Sequence, residues 1–194
     1  MPATSELLER ICAEKPKLDC NVLEAVVVLS VEIAREGREG RKIGTLFTIG
    51  DVPVVLRHSR PLILDPLAGH PDDKKRISSH DARETLKELA QLDGAFVISD
   101  DGIAVSACRY LDASSAGVSL PLGLGSRHMA AASISKRTKA VAVVVSESSI
   151  VRVFNNGELI CEIIPELWMM RRYNIHVDPE AFDRSPAVRL VTES

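Results

Sequence analysis

A glycine-rich turn that leads into a predicted helix carries the residues of most obvious chemical interest. In GLGSRHMAAASIS (residues 123–135), Arg127 and His128 stand at the start of that helix. A cation at this end is disfavoured by about 0.3–1 kcal/mol, because the positive pole of the helix dipole lies there. Glycines permit close backbone approach, and the free N–H groups of a helix start attract anions. The turn therefore predicts a bound phosphate or carboxylate; the alternative is a flexible turn capped by Ser126 with a solvated arginine.

A carboxylate stands at the opposite kind of helix end. The helix predicted over residues 79–92 is followed by Asp93 and Gly94. A negative charge is disfavoured at the negative pole of the dipole. A carboxylate in such a place, beside the start of a strand, is typical of a divalent-metal ligand or a general base. The alternative is an ordinary helix end in which Gly94 is the C-cap.

Polar residues also follow the most apolar strand of the chain. The segment AVAVVVSE (residues 140–147) ends in Ser146 and Glu147, and Ser148 and Ser149 follow. Hydroxyls beside a carboxylate can contact phosphate or a metal ion, although a simple polar turn explains them equally well. The three features together supply the groups needed for nucleotidyl or phosphoryl transfer with a divalent metal.

The elements that must position these residues can be read from the hydropathy pattern. Apolar residues at helical spacing indicate helices, and runs of strand-forming residues indicate strands. Asn-Gly at residues 156–157 favours a hairpin turn. Helices are predicted over residues 5–13, 21–36, 79–92, from Arg127 onwards and over 166–172, and strands over 43–49, 52–58, 94–99, 103–110, 140–147, 151–156 and 158–164. Hairpins outnumber crossovers, so we expect an α/β (α+β-like) fold whose mixed, largely antiparallel central sheet is flanked by helices on both faces.

Composition and charge limit the classes of function. The chain has 194 residues, 24 Lys and Arg, 27 Asp and Glu, and a net charge of −3. This balance predicts no general affinity for nucleic acid or for an anionic membrane. The chain shows no signal-peptide core and no apolar stretch of bilayer length, so a cytoplasmic location is expected. Its four cysteines lie far apart without a C-x-x-C pair, and we expect them to be reduced and mostly buried.

Three segments resemble one protein family when they are taken in order. LDGA (92–95), GLGSRHMAAASIS (123–135) and VVVSES (143–148) are similar to the diadenylate cyclase domain, or DisA N-terminal domain, with its D-G-A and R-H-x motifs. VEIAREGREGRKIGTLFTIGD (31–51) looks like the region ahead of the core in soluble, single-domain members of the archaeal type. The resemblance implies a helical extension over 1–20, a diadenylate cyclase-like catalytic domain over 21–172 and a C-terminal tail over 173–194.

The implied reaction joins two ATP molecules into cyclic di-AMP and releases two pyrophosphates, with Mn²⁺ or Mg²⁺ as cofactor. By motif, Asp93, Arg127 and His128 would be the catalytic residues. Asp93 would bind the metal and help to activate the ribose 3′-hydroxyl, while Gly94 and Ala95 would shape the nucleotide pocket.

The same resemblance implies the remaining ATP contacts. The triphosphate would be held by Gly125, Ser126, Arg127 and His128. Ser146 and Glu147 would contact phosphate, and the metal would be bound by Asp93, His128 and Glu147. Tyr110 or Leu111 would flank the adenine.

The implied product requires two copies of the domain. Each 3′-hydroxyl must attack the α-phosphate of the other ATP, so two domains must face each other in a homo-oligomer. Two residues depart from the pattern of many family members: Met129 stands where they have the second arginine of R-H-R, and Ser148 stands where they have a second glutamate. These departures motivate an alternative: a catalytically weak module that binds ATP or a cyclic dinucleotide and has a regulatory role. A third interpretation is a structural protein whose motifs are only caps and turns.

Overall fold

One eight-stranded sheet organises the computed structural model, which describes residues 4–37, 40–114, 117–172 and 188–190. Its strands are β1 (Thr45–Ile49), β2 (Ser59–Pro61), β3 (Ala95–Ile98), β4 (Ala104–Leu111), β5 (Val141–Val145), β6 (Val151–Asn155), β7 (Glu158–Ile163) and β8 (Val188–Leu190). The helices are α1 (Thr4–Glu14), α2 (Cys20–Glu36), α3 (Val52–Arg57), α4 (His80–Leu89), α5 (Ser126–Arg137) and α6 (Pro165–Arg172), with a 3₁₀ turn at Asp72–Lys75.

The order of the strands confirms the predicted fold class. The sheet runs β2-β4-β3-β1-β5-β6-β7-β8. Among the described strands, β1 and β3 are parallel neighbours and every other pairing is antiparallel. The sheet is therefore mixed and largely antiparallel.

Helices cover both faces of this sheet, as predicted. Alternate residues of β1 point to opposite sides: Phe47 and Ile49 join the core beneath α1, α2, α4 and α6, whereas Leu46 joins the core beneath α3 and α5. Strand β5 is divided in the same way and is buried along its whole length. A strand covered on both faces has no polar side to present, which explains the unbroken apolar run.

Chain direction brings the ends of four strands to one edge of the sheet. Thr45 pairs with Val145 in the antiparallel β1–β5 register, and Leu46 pairs with Ala95 in the parallel β1–β3 register. Ala95 in turn pairs with Arg109 of β4. The starts of β1 and β3 therefore lie beside the ends of β4 and β5, and the motif residues flank these four positions.

The predicted strand over residues 52–58 is wrong, because this segment forms helix α3. Pro53 occupies the first turn, where its missing N–H and fixed φ suit a helix. Val52, Val55 and Leu56 follow helical spacing and contact the core on the α5 side. Burial at this spacing outweighs the strand preference of the valines.

The helix predicted over residues 79–92 is shorter than expected, since α4 ends at Leu89 with Ala90 as its C-cap. The next amides bond back over three residues, from Gln91 to Glu88 and from Leu92 to Leu89, which tightens the chain out of the α-helix. Gly94 is therefore not a helix cap, and the dipole argument does not apply to Asp93.

The expectation that all cysteines are reduced is also wrong. Cys12 of α1 and Cys20 of α2 form a disulfide with a Cα–Cα distance of 5.8 Å. Turns closed by the Lys15 and Leu18 amides fold the intervening residues back, so the two helix ends come together. Cys108 and Cys161 are free and buried, as predicted, and burial raises the pKa of Cys161 to about 12.

Some predictions remain open at the level of the fold. The tail predicted over 173–194 lies outside the described residues, apart from β8, which pairs with β7. Boundaries at residues 20 and 172 stay predictions, although Leu7, Leu8 and Ile11 of α1 pack in the main core. Within the described residues, no helix combines the length and the apolar character needed to cross a bilayer.

Candidate active site

The side chain of Arg127 stands where three cavities meet at the shared sheet edge. Helix α5 begins at Ser126 after the Gly125 N-cap, so Arg127 projects from its first turn. Backbone amides in a first turn have no partner within the helix. Here the amides of His128 and Met129 bond to the Gly125 carbonyl, whereas those of Ser126 and Arg127 have no backbone partner among the described residues.

The first cavity, which we call the apolar cavity, has a volume of about 510 Å³. Its walls come from the starts of β1 and β3, the end of β4, the segment after β2 and the first turns of α5. The lining residues are Leu46, Leu62, Ile63, Asp93, Gly94, Ala95, Arg109, Tyr110, Leu111, Ala113, Ser126, Arg127 and Ala130. Mostly apolar walls with a few polar groups suit a flat ring system such as a base.

The second cavity, which we call the polar cavity, lies on the other side of α5 and has a volume of about 420 Å³. The glycine turn, the end of β5 and one residue of β6 enclose it. The lining residues are Gly123, Leu124, Gly125, Ser126, Arg127, His128, Val144, Val145, Ser146, Glu147, Ser148 and Arg152. Glycines, a helix start and arginines are the groups that hold phosphate.

The third cavity, which we call the basic cleft, is the smallest at about 250 Å³. Arg41, Lys42 and Gly44 line it from the segment ahead of β1. Asp93, Arg127 and Glu147 line it from the site. These three side chains therefore form the boundary between the basic cleft and the other two cavities.

Two carboxylates bracket Arg127. Glu147 Oε1 accepts a hydrogen bond from Arg127 Nη1 at 3.0 Å, and Asp93 Oδ1 lies 3.6 Å from Nη2. Both carboxylates are largely in solvent, with exposed fractions of 89% for Asp93 and 72% for Glu147. The negative partner predicted for Arg127 is thus supplied in this structure by the protein itself. Contacts as exposed as these are weak and open to exchange with a ligand.

Gly44 positions Arg127 and was missed by sequence reasoning. A Cβ atom on Gly44 would lie 2.6 Å from Arg127 Nη1 and 3.2 Å from Glu147 Cγ. Only a residue without a side chain leaves room for the guanidinium here. The signal in the sequence was a glycine directly ahead of a buried strand, in KIGTLF, and such a glycine often marks a close approach.

His128 is buried, and its ring contacts a second arginine. Arg152 Nη1 lies 3.1 Å from His128 Nε2. Because a guanidinium can only donate, Nε2 accepts, and the proton of the neutral ring is assigned to Nδ1. Nδ1 makes no hydrogen bond of normal geometry among the described residues. Burial lowers the pKa of His128 to about 4; Arg152 and Arg127 add to this shift, whereas Glu162 and the Gly125 carbonyl oppose it.

Arg152 and Glu162 were also missed. Arg152 Nε donates to Glu162 Oε1 at 2.6 Å, across the β6–β7 pair. The signal in the sequence was an arginine inside an otherwise buried strand, VRVFN, because a buried charge requires a partner.

Ser146 closes a turn and has few bonds left for a ligand. Its hydroxyl lies 2.7 Å from Ser148 Oγ and forms hydrogen bonds with both the carbonyl oxygen and the amide of Ile150. Ser148, which departs from the family pattern, therefore supports this turn. Glu147 is left projecting from the turn toward Arg127.

Gly94, next to Asp93, lets the backbone ahead of β3 approach the backbone of β4 closely. A Cβ atom on Gly94 would lie 2.6 Å from the Cys108 carbonyl carbon, and the φ of Gly94 is +107°. Cys108 itself has a φ of +54°, at an irregularity in the β3–β4 register. Tyr110 and Leu111, which follow this bulge, both line the apolar cavity; that one of them flanks the adenine stays a prediction.

The structure brings the predicted residues together, but not as a preformed metal cage. Within the part of the chain that it describes, no group of three or more His, Cys, Asp or Glu residues could hold a metal ion. Asp93 and Glu147 meet at Arg127, whereas His128 Nε2 faces Arg152. Two exposed carboxylates fit Mg²⁺ or Mn²⁺ when a substrate phosphate completes the coordination, as is usual for Mg²⁺.

Comparison with known proteins identifies the family. The family model described as DisA bacterial checkpoint controller nucleotide-binding matches residues 32–159, which span all three motif segments. The chain belongs to this DisA nucleotide-binding family. The earlier recognition of the family from its motifs is thereby confirmed.

Two relatives of this DisA-family chain carry the name diadenylate cyclase. The protein of Methanocaldococcus jannaschii is 48% identical over 161 residues, which cover 82% of this chain and 50% of that protein. The protein of Haloferax volcanii is 43% identical over 155 residues, which cover 78% and 56%. The chain therefore spans about half the length of the curated relatives it matches.

Solved structures support the DisA-family fold. DacA from Staphylococcus aureus, crystallised as a double-cysteine variant, matches with a TM-score of 0.53 at 22% identity, over 80% of this chain and 97% of that one. A hypothetical membrane-spanning protein from Bacillus cereus matches with a TM-score of 0.52 at 20% identity, over 70% and 60%. At these identities the likeness concerns the fold alone.

Proposed function

We propose that the chain is a diadenylate cyclase that condenses two ATP into cyclic di-AMP and releases two pyrophosphates. The observation that carries this proposal is the meeting of Asp93, Arg127 and Glu147 at one point, between an apolar cavity and a polar one. A base would occupy the first cavity and a triphosphate the second. The names of the curated relatives support the same activity.

The protein's own groups suit ATP. The base would lie in the apolar cavity, which Leu46, Ala95, Tyr110 and Leu111 line. The triphosphate accepts hydrogen bonds from the first amides of α5, where the dipole also favours negative charge. Arg127 then exchanges its two exposed carboxylate partners for phosphate oxygens.

The reaction breaks and forms one bond at each phosphorus. The 3′-oxygen of one ATP bonds to the α-phosphorus of the other, and the bond from that phosphorus to the oxygen bridging to the β-phosphate breaks. Pyrophosphate leaves with the electron pair, and the hydroxyl proton passes to Asp93 or to solvent. Arg127 stabilises charge on the non-bridging oxygens as it develops.

Charge balance favours a metal-bound substrate. Asp93 and Glu147 set two carboxylates beside the guanidinium of Arg127, so phosphate oxygens bound by Arg127 would also lie close to two negative charges. Mn²⁺ or Mg²⁺, held by Asp93, Glu147 and phosphate oxygens, would neutralise that charge and polarise the reacting phosphate. His128 is left out of this ligand set because its Nε2 lies against Arg152.

Two copies of the chain would complete the reaction. A cyclic product needs two nucleotides arranged around a two-fold axis, which a homodimer with facing sites supplies. Apolar side chains on the rim of the apolar cavity support this arrangement: Leu62 and Ile63 are exposed and lead to the almost fully exposed Leu64.

The alternative, a weakly active module that binds a nucleotide, is favoured by one observation. Arg127 already has both of its partners within the chain, which a resting regulatory site would also show. Product formation separates this alternative from the enzyme, whereas nucleotide binding is common to both.

The test is to incubate the purified chain with ATP and MnCl₂ or MgCl₂ and to detect cyclic di-AMP by mass spectrometry. Asp93→Asn should abolish the product, and Asp73→Asn, an exposed carboxylate on the 3₁₀ turn, should leave it unchanged. ATP binding without any product, with either metal and over a wide range of protein concentration, would instead support the regulatory alternative.

A further inference from the structure

A second arginine, Arg152, lines the polar cavity in addition to Arg127. Arg152 projects from β6 and is only 8% exposed, yet it lines this cavity together with Ser146 and Glu147. A buried guanidinium is costly unless its donors are used. The hydrogen bonds of the Arg152 side chain therefore indicate its role.

The bonds of Arg152 fix its plane and leave donors free. Nε donates to Glu162 at 2.6 Å, and Nη1 contacts His128 Nε2 at 3.1 Å. Nη2 makes no hydrogen bond within the described ranges. A guanidinium has five N–H donors, so most of its capacity remains for a ligand in the cavity. His128 Nδ1, also buried, is a further donor without a well-formed bond.

The two arginines differ in how far they are neutralised. Arg127 stands between two carboxylates, Asp93 and Glu147. Arg152 has one carboxylate, Glu162, which is not among the residues that line the polar cavity, and a neutral histidine. On the side that faces the cavity, the charge of Arg152 is therefore offset less than that of Arg127. Because Arg152 is buried, its charge is also screened less by salt.

We propose that Arg152, held in place by Glu162, is a phosphate-binding residue that grips the β- and γ-phosphates of ATP and the departing pyrophosphate from the β6 side. The proposal rests on the proposed function in taking ATP as the ligand. It also explains how the site works with Met129 where many family members place an arginine: the missing charge is supplied from the neighbouring strand.

The experiment compares Arg152→Gln, Arg152→Lys and Glu162→Gln with Arg83→Gln. The control removes a pair of the same length, since Arg83 Nη2 lies 2.6 Å from Glu32 at the α2–α4 contact, and neither residue lines any of the three cavities. For each protein we would measure KM and kcat for cyclic di-AMP formation, inhibition by inorganic pyrophosphate, direct binding of Mg·ATP and pyrophosphate by calorimetry, and the thermal midpoint.

We expect Arg152→Gln to weaken binding of pyrophosphate and Mg·ATP by about tenfold or more, as for loss of a hydrogen bond to a charged group. Arg152→Lys should recover part of that loss, and Glu162→Gln should show a smaller loss. Arg83→Gln should change the thermal midpoint alone. Pyrophosphate and Mg·ATP binding within twofold of wild type in folded Arg152→Gln would overturn the proposal.

The design separates this inference from the proposed activity. If wild type makes no cyclic di-AMP, the cyclase proposal fails, but calorimetry with Mg·ATP and pyrophosphate still decides the role of Arg152. If Arg152→Gln does not fold, Arg152→Lys and Glu162→Gln decide it: unchanged binding in both would contradict the role.

Discussion

At the scale of single residues, the site depends on how charges are paired. The dipole argument predicted a negative partner for Arg127, and Glu147 lies 3.0 Å from its guanidinium; a bound phosphate in that place stays a prediction. The dipole argument failed for Asp93, because α4 ends at Leu89 and leaves Asp93 outside any helix. Dipole arguments depend on where a helix ends, and helix ends are the least certain feature of a sequence pattern.

Gly44→Ala should lower activity while leaving stability nearly unchanged. The new methyl group would lie 2.6 Å from Arg127 Nη1, and the flexible arginine rather than the backbone would move. A displacement of about 1 Å in a site can cost roughly 10²-fold in rate. We expect a fall of that order in kcat/KM for cyclic di-AMP formation, with the thermal midpoint little changed.

The control for this prediction is a double-mutant cycle with Arg127→Ala. If Gly44 acts through Arg127, adding Gly44→Ala to Arg127→Ala should cost nothing further. Effects that simply multiply would contradict the explanation.

Acidification should destabilise the protein through His128. Its pKa is lowered from 6.5 to about 4 in the folded state, so the unfolded chain binds the proton first as pH falls. The contribution of His128 to the free energy of unfolding is fully present above pH 6.5. It declines toward pH 4, by up to about 1.4 kcal/mol per pH unit.

Urea unfolding at several pH values would measure this effect. The decline between pH 6.5 and pH 4 should be clearly shallower in His128→Gln than in wild type. His80→Gln, at an exposed position, should follow wild type. If the free energy of unfolding fell with pH equally in wild type and His128→Gln, His128 would take up no proton on unfolding, and the prediction would be wrong.

At the scale of elements, sequence pattern predicted most of the strands and helices but not the irregular positions that shape the site. The Asn156-Gly157 hairpin and the long helix α2 follow from local rules. Helix α3 does not, because its valines suit a strand and only tertiary burial selects the helix. The bulge at Cys108 was also not predicted, since it lies where Gly94, distant in sequence, closely approaches the β4 backbone.

Gly94→Ala should be strongly destabilising. It combines a φ of +107° with a 2.6 Å contact to the Cys108 backbone, which cannot move aside as a side chain can. We expect a loss of about 3 kcal/mol or more in the free energy of unfolding, from strain together with overpacking. Denaturant titration would measure it.

Gly69→Ala is the matched control. Gly69 has a φ of +78° but no atom near its missing Cβ, so its substitution isolates the cost of the left-handed backbone, roughly 1 kcal/mol. Equal losses at both positions would show that the close approach to β4 contributes nothing.

At the scale of the whole molecule, the site is a product of topology. The motifs supplied candidate site residues, yet only the strand order explains why residues 44, 93 and 147 are neighbours. No local rule specifies the β1–β5 and β1–β3 pairings. For that reason Gly44 and Arg152, which have no motif of their own, escaped prediction.

Dilution should reduce the activity of each chain if two facing copies are required. Below the dissociation constant of the dimer, the rate of cyclic di-AMP formation should rise with the square of protein concentration, because the dimer is the active species. Initial rates over a dilution series, with sedimentation over the same range, would measure this dependence. Constant specific activity where the chain sediments as a monomer would contradict the two-copy mechanism.

The pairing of Thr45 with Val145, which lie 100 residues apart in sequence, has a kinetic consequence. Contacts between such distant parts of a chain form slowly, because a long loop must close before they stabilise anything. Gly44 and Glu147 flank this pairing, so we expect partly folded chains to lack the proposed nucleotide site however much helix they contain. During refolding, ATP binding should therefore return only with the slow recovery of the central sheet, after the helical circular dichroism signal has begun to reappear.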